Sequence, residues 1–449
     1  MEQAQKNNWY SLKNIWLIAF PIILGSLAQD IITVVDTAFV GRLGEIQLGA
    51  AAIGGMFYLT LVMLGWGFGL GVQIMVARRY GQNKVPEINA ILNHAFVFLM
   101  FFAVIIFVVV KLFAFGTLHQ TLQSEAIAGE SIRFLEFRMY GIFAAFTNTL
   151  FRAFFIGTAN TNVIGITTAI MAVVNIVLDY LLIFGIGIFP DMGIQGAALA
   201  SVIAEYTALL FFILYTRKSR KLQVFGLFSW VPIKWEQLKS VFSISFPTML
   251  QNFISFAVWF VFFMFVERMG ELPLAISNII RSIYIVLLVP IFGFASATNT
   301  LVSYSIGRGE LKRINTVILK SMGLAMAGIS IVVGALAFIP EKIISIYTNI
   351  DEVIIQTVPV FYTVMVATFT LAFGFILFQA VSGTGKTKVA LFIEMIVLSF
   401  YLGVIYWITG TPGAKISTVW MVEILYGLGL GLLSLVYLKW GSWKKSATI

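Results

Sequence analysis

The sequence contains no cysteine, only two histidines and few charges: 11% of its 449 residues are Asp, Glu, Lys or Arg. Without thiols there can be no disulfides, Cys-ligated zinc or thiol nucleophile. His94 and His119 are too few for a histidine metal cage. Soluble domains carry about 25% charged residues, so a soluble globular enzyme, a disordered tail and a nucleic-acid reader are all excluded. What fills the chain is apolar, 60% hydrophobic with a mean hydropathy of +0.96. At roughly 20 residues per span plus short turns, this length accommodates about 12 transmembrane helices. No room is left for a soluble catalytic domain. The net charge of +9 does not point to nucleic acid, because the basic residues sit in short loops and form no stripe.

Apolar runs place the spans near 15–40, 48–77, 91–114, 132–156, 162–187, 193–216, 238–266, 273–304, 316–338, 354–381, 387–409 and 417–438. The polar first fourteen residues precede a long apolar run with no obvious cleavage site, which reads as an uncleaved first span. With the N-terminus inside, Lys6, Lys13, Arg78, Arg79, Lys84, Arg217, Lys218, Arg220, Lys221, Lys234, Lys239, Arg308, Lys312, Arg313, Lys386, Lys388, Lys439, Lys444 and Lys445 fall on the cytoplasmic side. The opposite side holds mainly Arg42, Arg268, Lys342 and Lys415. That asymmetry predicts two cytoplasmic termini. Trp9, Trp16, Trp230, Trp235, Trp440 and Trp443 lie where interfacial anchors are expected.

Sliding the chain on itself until Phe20 falls on Phe246 aligns the stretches 20–81 and 246–307 without a gap. Phe20-Pro21 falls on Phe246-Pro247, Phe39-Val40 on Phe265-Val266, Arg42 on Arg268 and Gly44-Glu45 on Gly270-Glu271. The 62 pairs contain 17 identities, where this composition gives about 5 by chance. The same shift places Gly157-Thr158 on Gly383-Thr384. The expected fold is therefore an all-α polytopic membrane protein of two six-helix bundles. Six is even, so both bundles have one orientation, related by a pseudo-two-fold axis along the membrane normal. The first bundle is expected at 1–216, a basic cytoplasmic linker at 217–237 and the second bundle at 238–449. Duplicated bundles meeting at a cleft form a transporter plan.

A charge at mid-membrane costs about 2.5–3.5 kcal/mol even on lenient scales, so each one is a functional candidate. The acids are Asp30, Asp36, Asp179, Glu205, Glu394 and Glu423, and the clearest base is Arg281. Gln29 precedes Asp36 by seven residues and shares its face, and Asn175 precedes Asp179 by four. Asp36 and Asp179 reach similar depths, with Ser201 and then Glu205 on the sixth span. Two carboxylates in poorly solvated space repel and lose hydration, so they favour holding a proton. The same oxygens suit a hard cation such as sodium. Asp36, Asn175, Asp179 and Ser201 are therefore the expected ion-coupling set, and Asp36, Asn175 and Asp179 the expected sodium ligands. Gln29, Asp36, Asn175, Asp179, Glu205 and Arg281 are the expected substrate contacts, Arg281 being also a candidate partner for an acid or a gate. In the second half Phe262, Tyr401 and Ile405 stand at the positions of Asp36, Asn175 and Asp179. Ion coupling is thus expected in the first bundle.

Gly383-Thr384-Gly385-Lys386-Thr387 is like the end of a phosphate-binding loop, but Ala380 stands where the motif needs its first glycine. A helical span, not a strand, precedes it. Its repeat partner, Gly157-Thr158-Ala159-Asn160-Thr161, has no lysine, so a turn without nucleotide is expected. Gly65, Gly67, Gly69 and Gly71, and likewise Gly427, Gly429 and Gly431, have the spacing of close helix contacts.

The pattern resembles the multidrug and toxic compound extrusion (MATE) transporters over nearly the whole chain. Pro21 to Gly44, with Asp36-Thr37 and Phe39 to Gly44, is similar to the family's first-span signature. Asn175 to Gly185 is similar to that of the fifth span, and Gly196 to Ser201 to that of the sixth. Pro290, Gly293 and Gly157-Thr158-Ala159 also fit. The resemblance implies two bundles in a V and export of organic cations or amphipathic drugs in exchange for H⁺ or Na⁺. It places the first-lobe coupling residues on Asp36, Asn175 and Asp179, with Ser201 where many members have Thr. One branch has an essential acid on the seventh span, where this chain offers Gln251, Asn252 and Ser255. The departure favours a first-lobe site.

The expected protein is a cation-coupled antiporter working by alternating access. It has small-molecule substrates, no cofactor, nucleotide or enzymatic activity, and is a monomer in a bacterial inner membrane. A flippase for lipid-linked saccharides is the alternative, with Arg281 as its main cationic candidate. A channel is the other rival.

Overall fold

The computed structural model describes residues 9–122 and 124–446, which form helices and turns with no strand among them. Lys6 lies outside the described residues. The long apolar helices are α1 Leu12–Gly41, α2 Glu45–Gly81, α3 Val85–Phe113, α4 Glu125–Arg138, α5 Gly141–Gly157, α6 Asn162–Ile183, α7 Gly193–Lys218, α8 Trp235–Glu267, α9 Glu271–Gly307, α10 Arg313–Leu336, α11 Asp351–Gly383, α12 Thr387–Thr409 and α13 Ile416–Trp440. Helices α4 and α5 meet at 52°; counted together as one bent span, they bring the number among the described residues to twelve.

Two spans differ from the apolar runs. The fourth, expected as one helix over 132–156, breaks at Met139–Tyr140. There the backbone tightens, Tyr140 N bonding Phe137 O and Ile142 N bonding Met139 O. The fifth stops at Ile183, short of 187, because Gly185 and Gly187 take φ of 63° and 70°, a conformation that ends helices.

The chain divides into two compact units. One is Leu24–Met249, and the other joins the chain before Leu24 to that after Met249. Both boundaries fall inside helices, just beyond Pro21 in α1 and Pro247 in α8. The shift that lays Phe20 on Phe246 also maps one boundary onto the other.

Turn geometry carries the same repeat. The φ values are 131° at Gly44 and 117° at Gly270, 59° at Asn83 and 74° at Gly309, and 55° at Ala159 and 80° at Gly385. Each pair is related by that one shift. The loop-like Gly383–Thr387 segment is therefore the same left-handed turn that Ala159 makes in the first half.

Glycines set the closest helix approaches. A Cβ at Gly65 or Gly69 of α2 would strike Phe146 or Thr149 of α5, and one at Gly427 of α13 would strike the Thr370 backbone of α11. Both contacts follow the spacing seen in sequence. In the Leu24–Met249 unit, the segment before α8 is tied to α3. Asn89 Nδ2 donates to Ser229 O and Oγ at 2.9 and 3.0 Å, and Lys234 N donates to His94 Nε2 at 2.9 Å. His94 Nε2 thus accepts, leaving Nδ1 to donate to Ala90 O. In the other unit Lys320 Nζ donates to Tyr10 O at 2.8 Å, and Trp9 stacks on Tyr304. Burial pushes the Tyr10 hydroxyl above the ordinary tyrosine range. Trp230, Trp235 and Trp440 are exposed as anchors require, whereas Trp443 is buried, its indole N–H given to Leu438 O.

Candidate functional site

Three helices of the Leu24–Met249 unit converge on the expected constellation. Helix α1 brings Asp36, α6 brings Asn175 and Asp179 on one face, and α7 brings Ser201 and Glu205 on another. Asn175 and Asp179 are 1% and 0% exposed. The Asp36 and Asp179 carboxyl groups lie within hydrogen-bonding reach of each other. No donor among the described residues reaches either Asp179 oxygen or Asp36 Oδ1. Asn175 Nδ2 donates to Ser201 Oγ at 3.5 Å, and Asn175 Oδ1 has no partner among the described residues. Unpaired buried oxygens are costly. Their concentration here makes this the candidate site.

Gln29 and Asp30 are not drawn into this group. Gln29 is exposed, and Asp30 Oδ2 is buried without a partner among the described residues.

Glu205 belongs to a second cluster that sequence reading missed. Arg138 Nη2 bonds Glu205 Oε1 at 2.6 Å, the two side chains being 14% and 15% exposed. Tyr58 donates to Glu205 Oε2 at 3.1 Å, and the guanidinium lies 3.7 Å from the Tyr58 ring centre. Arg138 is the last residue of α4, and Gly141 opens α5 after the break. A side chain at 141 would collide with Glu205, Arg138 and Tyr58. Signals for both missed residues existed. Arg138 falls inside the expected fourth span, and Tyr58 recurs as Tyr284 in the second copy of the repeat.

The second unit uses its equivalent positions differently. Phe262 and Tyr401, which match Asp36 and Asn175, join Trp420 in an aromatic cluster. Tyr401 and Trp420 lie at centroid distances of 6.3 and 5.1 Å from Phe262. Its buried acids lie elsewhere. Glu423 accepts from Tyr284 at 2.5 Å and Tyr401 at 2.7 Å. Glu394 Oε1 accepts from Tyr426 at 2.6 Å and Ser255 at 2.8 Å, while Oε2 has no partner among the described residues. Arg281 pairs with none of these acids. Its guanidinium sits 5.3 Å from the Phe263 ring centre.

Residues 21–181 and 247–407 each match the MatE family model, so the two matched segments are the two copies of the repeat. A Thermotoga maritima protein named probable multidrug resistance protein NorM is 24% identical over 451 residues, covering 97% of this chain and 94% of that protein. One solved structure is described as the outward-facing conformation of a multidrug resistance MATE family transporter of the MOP superfamily. It aligns with a TM-score of 0.86 at 20% identity, over 97% of this chain and 96% of that one. A MOP superfamily transporter from Pyrococcus furiosus, whose binding pocket is described as of reverse polarity suggesting a different function, aligns with a TM-score of 0.86. Its identity is 19%, over 98% of this chain and 97% of that one. At such identity these structures speak to the fold.

Proposed function

Because the chain belongs to the MATE family of membrane transporters, we propose that it exports organic cations or amphipathic drugs in exchange for H⁺ or Na⁺. The observation that carries this reading is the Asp36–Asp179 pair, in which Asp36 Oδ1 and both oxygens of the buried Asp179 meet no donor among the described residues. When ionised, the pair attracts a cationic substrate. A bound proton or sodium ion cancels that attraction and releases the substrate. Asn175 and Ser201 orient the pair's surroundings, and α1, which carries Asp36 beyond Pro21, is the element that shifts between the two states. Coupling belongs to the first bundle, because the second fills the equivalent positions with Phe262 and Tyr401. The chain works as a monomer in a bacterial inner membrane with both termini cytoplasmic. The NorM name of the Thermotoga relative supports drugs as substrates.

The test is efflux of a cationic dye from proteoliposomes, with pH and sodium gradients imposed separately. Uphill dye movement driven by either gradient supports the proposal. Dye movement only down its own gradient indicates a channel. Preferred binding of a lipid-linked saccharide over the dye indicates a flippase, a reading weakened by Arg281 lying against Phe263.

A further inference from the structure

The segment between α7 and α8 is fastened within the Leu24–Met249 unit at two points, by different chemistry. The first point holds no group that titrates near neutral pH. Phe225 is buried against Phe154 of α5 and Tyr80 of α2, at centroid distances of 5.0 and 6.2 Å. Asn89 of α3 donates its side-chain amide to Ser229. Past Ser229 the chain is exposed at Trp230, Pro232, Ile233 and Lys234. The second point lies at the end of this exposed stretch, where Lys234 N donates to His94 Nε2 at 2.9 Å. Lys234 passes that restraint on, because its carbonyl accepts from Leu238 N at 3.0 Å in the first turn of α8.

His94 is 0% exposed and uses both ring nitrogens, Nδ1 toward Ala90 O at 2.6 Å and Nε2 toward Lys234. A backbone N–H can only donate, so Nε2 carries no hydrogen and the ring is neutral. A proton on Nε2 would turn this acceptor into a second donor facing Lys234 N–H, and the bond would be lost. Imidazole is the side chain whose charge changes between about pH 5 and 8. The charged and titratable groups on the surrounding elements are Arg78, Arg79 and Tyr80 of α2, Lys84 and Glu87 at the start of α3, Arg152 of α5, and Lys234, Glu236 and Lys239 at the entry to α8. Glu87 is held by Arg79 at 2.9 Å and Lys84 at 3.2 Å. Among the described residues, no carboxylate bonds the His94 ring.

We propose that His94 is a pH-sensitive latch on the start of α8: the neutral ring clasps Lys234 to α3, and a proton on the ring releases it. The clasped ring is closed to solvent, so the proton binds when the segment lifts away and then keeps it away. The clasp exists only without that proton, so acid favours release and alkali favours the clasp. Phe225 and Asn89 stay engaged in both states, which confines release to the stretch from Trp230 into α8. The latch uses neither Asp36 nor Asp179 and stands apart from the coupling role proposed for them.

The test is amide hydrogen exchange of the full chain in lipid nanodiscs, at about pH 8 and about pH 5.5, corrected for the intrinsic effect of pH on exchange. Wild type, His94→Gln, His94→Ala and His119→Gln are compared. In the wild type the Lys234 amide is protected at the higher pH and exchanges about tenfold faster at the lower, the weight of one hydrogen bond. Glutamine offers an amide oxygen that accepts from Lys234 N and does not titrate, so His94→Gln stays protected at both. His94→Ala exchanges fast at both. His119 is exposed beyond α3, and His119→Gln follows the wild type. The α3 amides around Asn93 stay slow throughout, which separates release of the latch from unfolding. Wild-type protection that ignores pH overturns the inference, as does an acid response that His94→Gln shares. So does Lys234 protection in His94→Ala equal to the wild type at the higher pH, or loss of α3 protection together with the segment.

Discussion

Asp36 on α1 faces Asp179 on α6, and neither oxygen of Asp179 meets a hydrogen-bond donor among the described residues. A carboxyl group at 0% exposure with no donor is an unfavourable thing to bury. Proteins retain such strain where it serves a function.

Asp179→Asn therefore separates function from stability. The amide removes a buried charge without changing the side chain's shape. Gradient-driven dye efflux is expected to fall by at least about tenfold, a loss of roughly 1.4 kcal/mol of coupling. The thermal unfolding midpoint should stay equal or rise. Efflux assays and thermal unfolding of the purified variant check the two halves.

Ser201→Ala removes the acceptor of the Asn175 amide. That bond is long at 3.5 Å, so the loss is small, about 0.5–1 kcal/mol. Dye efflux should fall a few-fold, and Ser201→Thr should restore it. Dose–response curves for dye efflux read the difference.

Glu423→Gln probes the second unit. Glu423 accepts one tyrosine hydroxyl on each oxygen, and a glutamine has only one acceptor oxygen. One hydroxyl then faces an NH₂ group, costing about 1–3 kcal/mol. The thermal midpoint should drop while efflux keeps its pH dependence. A changed pH profile would move coupling into the second unit.

Gly427→Ala places a methyl group against the Thr370 backbone. Backbone cannot yield as a side-chain tip can, so overpacking should cost about 1–3 kcal/mol. Gly403→Ala, in open space on α12, is the control and should behave as wild type in thermal unfolding.

Lys386→Ala tests the rejected phosphate loop. Gly385 and Ala159 make the same turn in the two halves, so efflux from ATP-free vesicles should be unchanged. A requirement for ATP in the wild type would contradict the turn reading.

Much of this architecture is legible in the sequence, for definite physical reasons. Apolar runs must be helical in a membrane, so the spans could be placed from hydropathy. The repeat carries over into turn dihedrals at Gly44/Gly270 and Asn83/Gly309. Asp36 and Asp179 stood out because acids are rare in apolar runs, and helical spacing put Asn175 beside Asp179. The Arg138–Glu205–Tyr58 cluster was not legible as a cluster, because its members come from α4, α7 and α2 and meet only after packing. The break in the fourth span has no proline to mark it. Glu394 and Glu423 were visible as acids, but the tyrosines that cap them lie on other helices or at spacings that identify no partner. By charge alone Arg281 reads as a partner for an acid or a gate, whereas the fold gives it the face of Phe263.

The central claim is that the Asp36–Asp179 pair couples an ion gradient to drug export. Its most direct test compares wild type with Asp36→Asn in proteoliposomes loaded with a cationic dye, under an imposed pH gradient and then a sodium gradient. Gradient-driven efflux is expected in the wild type and should vanish in Asp36→Asn, along with its pH dependence. Full efflux with full pH dependence in Asp36→Asn would contradict the account.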